Sequence, residues 1–358
     1  MKKKLKKKDK SQPTSTCKKG IAFKRFDQTP SKYLGKGDPL NLEEEKCQFL
    51  CHGKIPDFKF KATERQLDLI TSSKKCEIKH DLLPQATWIL EKVKEKYGTG
   101  EGYLLHTYGQ RIDSEQASEV LKGYMVENGV DGMMSVAWSK DLSCSGRMTW
   151  VGPCLKANKP DARKYRLMLK DSADNCFLRE KGILCIADHE IGTHFIRSYN
   201  DGLQPWFSNR LKFGLQKLKS YSLQQTEEGL AALNTVLKAR SKYLFYPALL
   251  YYTACAVDIL RKLDRIDFEV LYSGKVSLED LPRVRHSARL TSIKLPPFMK
   301  DKAAYISHLR KIALLNDIRA SPMRSGRGGR RSAKKGTKVR RRSQSVSARR
   351  IGKTSDET

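Results

Sequence analysis

Apolar positions recur at helical spacing in the first third of the globular part of the chain. They predict helices over residues 61–76 and 84–97. A further helix is expected over SEQASEVLKGYMVENG, with Ser114 as its N-terminal cap and the glycine after Asn128 at its end. Between them, GEGYLLHTYG has an apolar centre flanked by glycines, and this pattern predicts a strand.

The middle of the chain changes from strand patterns to helical ones. MMSVAWSKD, RMTWVGPCLK and KYRLMLKD are rich in branched and aromatic residues and predict three strands. Residues 174 to about 265 are predicted to be largely helical, and YLFYPALLYYTACAV is expected to form a buried core helix. At about 15 residues it is shorter than the roughly 18 that suggest a membrane span. Strands followed by a run of helices predict an α+β fold, with a small sheet packed on a mainly helical part.

The charge of the chain divides it into three parts. Lys and Arg number 70 against 39 Asp and Glu, a formal net charge of +31. Residues 1–40 and 318–358 are polar, basic and of low complexity, so they are predicted to be disordered arms around one domain at 41–317. Basic arms favour polyanionic partners. We expect no nucleic-acid partner, because the tail has almost no aromatic residues for stacking and no base-reading motif is present.

The expected location follows from two observations. MKKKLKKKDK is not followed by the apolar run of a secretory signal, and no membrane span is predicted. The nine cysteines fall at irregular spacings, which is not the pattern of a disulfide framework. We therefore expect a cytoplasmic protein with reduced thiols.

Candidate metal chemistry is concentrated in CIADHEIGTHFIRSYNDG, which contains His189, Glu190 and His194. The common zinc-peptidase motif has two residues between its glutamate and its second histidine, whereas this chain has three. On an α-helix positions i and i+5 lie about 140° apart, so both imidazoles could reach one ion only if the helix contained a π-bulge. Gly192 lies between the histidines and would make that distortion easier.

A third metal ligand is expected from the later segment TEEGLAAL. Thr226 can cap a helix there, with Glu227 and Glu228 in its first turn. A glutamate directly before Gly-apolar-Ala resembles the third-ligand helix of zinc aminopeptidases. We therefore predict Glu228 as the ligand, with Glu227 as the alternative. The competing interpretation is a buried structural histidine pair and acidic residues that only cap the later helix.

These segments together resemble the microtubule-associated tyrosine carboxypeptidase family. The resemblance covers about residues 55–317 through HEIGTHFIRSYNDGLQPW, TEEGLAALNTVL, ALLYYTACA, ENGVDGMMSVAWSKDLSCSGRM and GKVSLEDLPRVRHSARLTSIKLPPFMKD. It implies a zinc metallopeptidase with one Zn²⁺ per chain that removes the C-terminal tyrosine of α-tubulin on microtubules of the cytoskeleton. It also implies that His189, His194 and Glu228 hold the metal and that Glu190 is the catalytic base.

One departure from the family pattern leaves a second function open. The family pattern has a longer basic insertion after YYTACAVDILRKLDRIDFEVL, and this chain lacks it, with an apparent deletion near residues 256–259. The alternative is therefore a catalytically weakened member of the same family that binds microtubules or other polyanions.

Further site residues follow from the implied reaction. A cation should pair with the terminal carboxylate of the substrate, and Arg197 and Arg210 are the nearest in sequence. Candidates for stabilising the oxyanion are Tyr199 and His106. A candidate for a separate structural zinc site is the loosely spaced group of Cys47, Cys51, His52, Cys76 and His80.

Overall fold

The computed structural model describes residues 39–72, 80–151 and 163–319. Apart from two residues each, the predicted basic arms at 1–40 and 318–358 lie outside these ranges, and so does Cys76. Their disorder and the domain boundaries therefore stay predictions.

Helices make up most of the described chain. The helices before the sheet are α1 (Leu42–His52), α2 (Glu64–Thr71), α3 (Leu83–Tyr97), α4 (Gly100–Tyr108) and α5 (Ser114–Glu127). Those after it are α6 (Gly182–His189), α7 (Ile196–Asp201), α8 (Tyr221–Thr235), α9 (Leu249–Arg261), α10 (Phe268–Tyr272), α11 (Leu281–Val284) and α12 (Lys302–Leu315). Helix α3 confirms the helix predicted over 84–97. Helix α2 confirms the one predicted over 61–76 only from Glu64 to Thr71, and residues 73–79 lie outside the described ranges.

The strand predicted in GEGYLLHTYG is wrong, because this segment forms α4. Thr99 starts the helix by accepting a hydrogen bond from the backbone N–H of Gly102 at 3.0 Å. The buried side chains are those of Tyr103, Thr107 and Tyr108, which follow helical spacing and do not alternate. Tertiary packing of this face outweighs the presence of two glycines near the helix start.

The cap predicted for α5 is displaced by one residue. The side chain of Asp113, rather than that of Ser114, accepts from the N–H groups of Glu115 at 2.9 Å and Gln116 at 2.8 Å. Gln116 completes a capping box by accepting from the Asp113 N–H. The glycine predicted at the other end is confirmed, since Gly129 has a φ of 61°.

Three strands form a small mixed sheet. They are β1 (Met134–Ser139), β2 (Gly146–Val151) and β3 (Lys164–Lys170), in the order β1-β3-β2. Strand β3 is parallel to β1, with Met134 opposite Tyr165, and antiparallel to β2, with Gly146 opposite Leu169. The predicted strands are thus confirmed where the structure describes them, and the fold is α+β.

Helices α8 and α9 cross closely and bring the functional segments together. A Cβ atom on Gly229 would lie 2.1 Å from the carbonyl oxygen of Cys255, so only glycine permits this approach. Helix α9 starts two residues after Pro247, so the core helix predicted over YLFYPALLYYTACAV begins only at Leu249, the seventh residue of that segment. Residues 256–259 lie inside α9, and the helix runs through the position of the apparent deletion without a break.

Among the described residues, no helix combines the length and apolar character that crossing a bilayer requires.

Candidate metal centre

A π-helical segment (Glu190–Phe195) joins α6 to α7 in one uninterrupted helix. In π-helical hydrogen bonding each N–H reaches the carbonyl five residues back, so positions i and i+5 come to the same side. His189 and His194 therefore lie next to each other, with ring centroids 5.0 Å apart. The predicted bulge between the two histidines is confirmed.

Side chains of neighbouring elements support the wide turn. The Thr193 hydroxyl donates to the carbonyl of Asp188 at 2.9 Å and accepts from the Asn234 amide at 2.8 Å. A Cβ atom on Gly192 would lie 2.8 Å from the Phe298 ring, while the φ of Gly192 is outside the left-handed range. Gly192 is thus required for space against Phe298 rather than for conformational freedom.

Glu228 of α8 completes a group of three ligand-type side chains. One atom from each of His189, His194 and Glu228 lies within 4.8 Å of the other two, and no other such group occurs among the described residues. The carboxylate oxygens of Glu228 are 4.0 Å from His189 Nε2 and 3.8 Å from His194 Nε2. Two imidazole nitrogens and one carboxylate oxygen are a donor set typical of catalytic zinc sites.

Both imidazoles are oriented by their other ring nitrogen. His189 Nδ1 lies 2.9 Å from the Thr235 hydroxyl, which itself donates to the Ala231 carbonyl and therefore accepts from the ring. His194 Nδ1 lies 3.1 Å from a Glu227 oxygen. These acceptors place the proton of a neutral ring on Nδ1 and leave the Nε2 lone pairs for a metal ion. Burial lowers the pKa of His189 well below its usual value and favours that neutral form.

The alternative ligand Glu227 occupies a different position from Glu228. Its carboxylate forms close ion pairs with Arg197 and Lys275 in addition to its contact with His194. Burial acts to raise the pKa of Glu227, but Arg197 and Lys275 outweigh it and hold that pKa well below its usual range. Glu228 therefore faces the Nε2 atoms of both histidines, and Glu227 supports His194 from behind.

Glu190, the residue predicted as the general base, lies beside the triad. One of its oxygens accepts from the backbone N–H of Met148 on β2 at 2.8 Å, and the other lies 4.0 Å from His189 Nε2. Burial raises the pKa of the Glu190 carboxyl, His194 opposes the rise, and Glu228 adds to it. A carboxylate with a raised pKa is a stronger proton acceptor than a solvent-exposed one.

The other predicted site residues lie away from the triad. Arg197 is fully buried and donates to the carbonyls of Leu271 and Val276, while Arg210 pairs with Asp201 at 3.2 Å. Tyr199 lines a cavity on the outer face of the sheet, and the His106 ring packs 5.0 Å from that of Tyr97. The roles predicted for them in binding the substrate or its oxyanion stay predictions. Of the proposed structural zinc group, Cys47 and Cys51 are exposed neighbours on α1 with sulfur atoms 3.8 Å apart.

Two cavities adjoin the triad and share part of their lining. The first, of about 480 Å³, contains His189 and Glu190, and the second, of about 450 Å³, contains Glu227. The residues common to both are Trp150, His194, Ser198, Glu228 and Lys275. Sequence reasoning missed Lys275, which is 48 residues from Glu227 and has no local motif that marks it.

Comparison with known proteins gives relatives but no match to a family model. A human protein named microtubule-associated tyrosine carboxypeptidase 1 is 29% identical over 340 residues, which cover 78% of this chain and 67% of the relative. The mouse protein of that name is also 29% identical. A second mouse protein, named a putative tyrosine carboxypeptidase, is 27% identical over 356 residues, covering 83% of this chain and 65% of its own length.

The chain thus spans about two thirds of the length of these curated relatives. The proteins it matches carry the name of the family that HEIGTH and TEEGLA resemble, and the match takes in most of the chain. Over most of its length this chain is similar to proteins named microtubule-associated tyrosine carboxypeptidases.

Proposed function

We propose that this protein is a zinc-dependent carboxypeptidase that removes the C-terminal tyrosine of α-tubulin on microtubules. The observation that carries the proposal is the convergence of His189, His194 and Glu228 beside the buried carboxylate of Glu190. The names of the relatives support the reaction and the microtubule partner. A cytoplasmic, cytoskeletal location is part of the same proposal.

The residues would share the work of peptide hydrolysis. His189 Nε2, His194 Nε2 and a Glu228 oxygen would hold the ion, which when bound lowers the pKa of water and polarises a carbonyl group. Glu190 would take the proton of the attacking water and later deliver it to the leaving amine. The Met148 N–H holds Oε2 of Glu190 by a hydrogen bond. The other oxygen, Oε1, faces His189 and would accept the proton of the water.

The charge of the chain suits an acidic substrate. A net charge of +31 would attract an acidic tubulin tail and raise the rate of association in a salt-dependent way. Charge attraction of this kind raises the rate at which enzyme and substrate associate and does not change the rate of peptide hydrolysis.

The decisive experiment is mass analysis of an α-tubulin tail peptide that ends in tyrosine, incubated with the protein with and without a chelator. We expect loss of the tyrosine by wild type and by the exposed control Glu119→Gln, and none with chelator. Glu190→Gln should lose about 10²–10⁴-fold in rate while it keeps one zinc per chain. Undiminished cleavage by Glu190→Gln, or wild type purified without zinc, would contradict the mechanism. Microtubule binding without any cleavage by wild type would favour the weakened family member.

A further inference from the structure

The second cavity beside the triad has apolar walls and a lining that contains both basic and acidic residues. Phe207, Leu218 and Leu223 line it together with the shared Trp150. Its volume of about 450 Å³ is in the range of small-ligand sites, roughly 300–1,000 Å³. His194 and Glu228 form one end of it, so a group bound there would lie directly next to the metal ligands.

Arg163 is the buried basic residue of this cavity, and part of its guanidinium is not hydrogen-bonded. Only 5% of it is exposed, and its guanidinium lies 4.9 Å from the ring centroid of Trp150 and 4.7 Å from that of Phe207. Its Nη1 donates to the Ser198 carbonyl at 2.6 Å and to the Tyr165 hydroxyl at 3.0 Å. Its buried Nε and Nη2 have no hydrogen-bond partner among the residues that the structure describes. Unpartnered buried donors of a guanidinium are costly and indicate a missing anionic acceptor.

Lys275 provides a second positive charge in the same cavity. Its ammonium group pairs with Glu227, and the side chain stays about 20% exposed along both cavities. An ammonium group has three donor hydrogens, so it can serve another acceptor besides Glu227.

The acidic residues of the cavity do not cancel this charge. Glu227 is paired with Arg197, and Asp201 is paired with Arg210 and accepts from the Trp206 indole at 3.0 Å. Asp201 is therefore engaged by a side chain outside the cavity, whereas Glu227 is shared between Arg197 outside it and Lys275 within it. The third acidic residue of the lining, Glu228, faces the two histidines.

We propose that this cavity binds the residue that the enzyme releases, and this inference rests on the proposed carboxypeptidase function. Arg163 and Lys275 hold the free α-carboxylate of the substrate, and Trp150 and Phe207 contact its terminal side chain. An enzyme that cuts only at a C-terminus must recognise a carboxylate that internal peptide units lack, and a guanidinium fork can bind it in a bidentate manner. The first cavity, beside Glu190 and β2, would then bind the substrate residues that precede the C-terminal residue.

The test measures binding and cleavage separately. The zinc-loaded Glu190→Gln protein is titrated with two acidic peptides of one sequence ending in tyrosine, one with a free carboxylate and one with a C-terminal amide. We expect the free acid to bind at least about tenfold more tightly, since the amide loses the charge-assisted contacts. Adding Arg163→Lys or Lys275→Gln should reduce this ratio by about fivefold or more, because the first change removes the planar fork and the second removes the charge. The matched control Lys164→Gln removes an exposed neighbouring charge and should leave the ratio unchanged.

Cleavage by the same substitutions without Glu190→Gln separates the inference from the proposed function. Arg163→Lys should raise KM for the free acid more than it lowers kcat. A misfolded site would instead lose its bound zinc and show no measurable cleavage. Cleavage by wild type combined with an unchanged acid-to-amide ratio in both Arg163→Lys and Lys275→Gln overturns the cavity assignment and leaves the peptidase standing. Wild type could also fail to cleave the peptide while it still binds the free acid more tightly than the amide in a way that depends on Arg163. That result would contradict the proposed carboxypeptidase function and keep the assignment of a carboxylate-binding cavity.

Discussion

Glu227 Oε2 lies 3.1 Å from His194 Nδ1, so the residue next to one predicted metal ligand orients another. Successive residues on a helix turn by about 100°, and adjacent glutamates of α8 therefore point to different environments. Glu228 faces the two histidine Nε2 atoms, whereas Glu227 faces Arg197 and Lys275. Substitution of Glu228 and substitution of Glu227 are therefore expected to affect zinc binding and folding stability differently.

Substituting each glutamate with glutamine distinguishes the ligand from its support. Glu228→Gln should abolish zinc binding with little loss of folding stability, because its carboxylate pairs with no buried Arg or Lys among the residues that the structure describes. Glu227→Gln should weaken zinc binding by only about 10–100-fold. It should also cost about 3–5 kcal/mol of unfolding free energy, because it leaves the buried Arg197 without its partner.

These two properties are measured by zinc titration against a competing chelator and by chemical denaturation of the metal-free proteins. Glu119→Gln on α5 is the control, since its side chain is exposed. Loss of zinc from Glu227→Gln but not from Glu228→Gln would reverse the assignment.

Gly192→Ala tests the packing of the π-helical segment. The new Cβ would lie 2.8 Å from the Phe298 ring and 3.1 Å from the Tyr124 hydroxyl, so the ring must shift. We expect a loss of about 1–3 kcal/mol and weaker zinc binding. Gly123→Ala is the matched control on α5, where the added Cβ meets open space and should stabilise by up to about 1 kcal/mol. Equal unfolding midpoints for the two variants would contradict the packing argument.

Gly229→Ala tests the crossing of α8 and α9, which sets the position of the neighbouring Glu228 relative to the two histidines. Its Cβ would lie 2.1 Å from a backbone carbonyl of Cys255, and a main-chain atom cannot move aside as a side chain can. We expect a loss of about 3 kcal/mol or more, seen as a lower denaturation midpoint. A variant as stable as Gly123→Ala would show that the two helices do not approach this closely.

Metal removal should lower the stability of the folded protein. An ion that binds only the folded state at about 1,000 times its Kd adds roughly 4 kcal/mol to the unfolding free energy. Thermal unfolding should therefore shift upward when zinc is added to chelator-treated protein. Glu228→Gln should show no such shift, and an equal shift in that variant would place the ion elsewhere.

Several features could be predicted because they depend on residues close together in sequence. The helical spacing of 84–97 and the branched residues of β1 and β3 gave the correct elements. The strand predicted at GEGYLLHTYG failed because Tyr103 and Tyr108 pack into the core from a capped helix, and local composition does not record that packing. Arg197 and Arg210 were chosen by nearness in sequence, but buried carbonyls and carboxylates elsewhere in the fold hold both.

The sequence by itself determined the two histidines, the glutamate between them, and the need for a widened turn. Five positions along one α-helix place side chains on nearly opposite faces, so two histidines at this spacing can reach one ion only if the turn gains a residue. Only the tertiary structure placed Glu228 close to both histidines and Glu227 against Arg197, and only it brought Arg163 and Lys275 to the same cavity. Those relations depend on how β3, α8 and the segment after α10 pack together, and contacts between distant parts of a chain leave no periodic signal in the sequence.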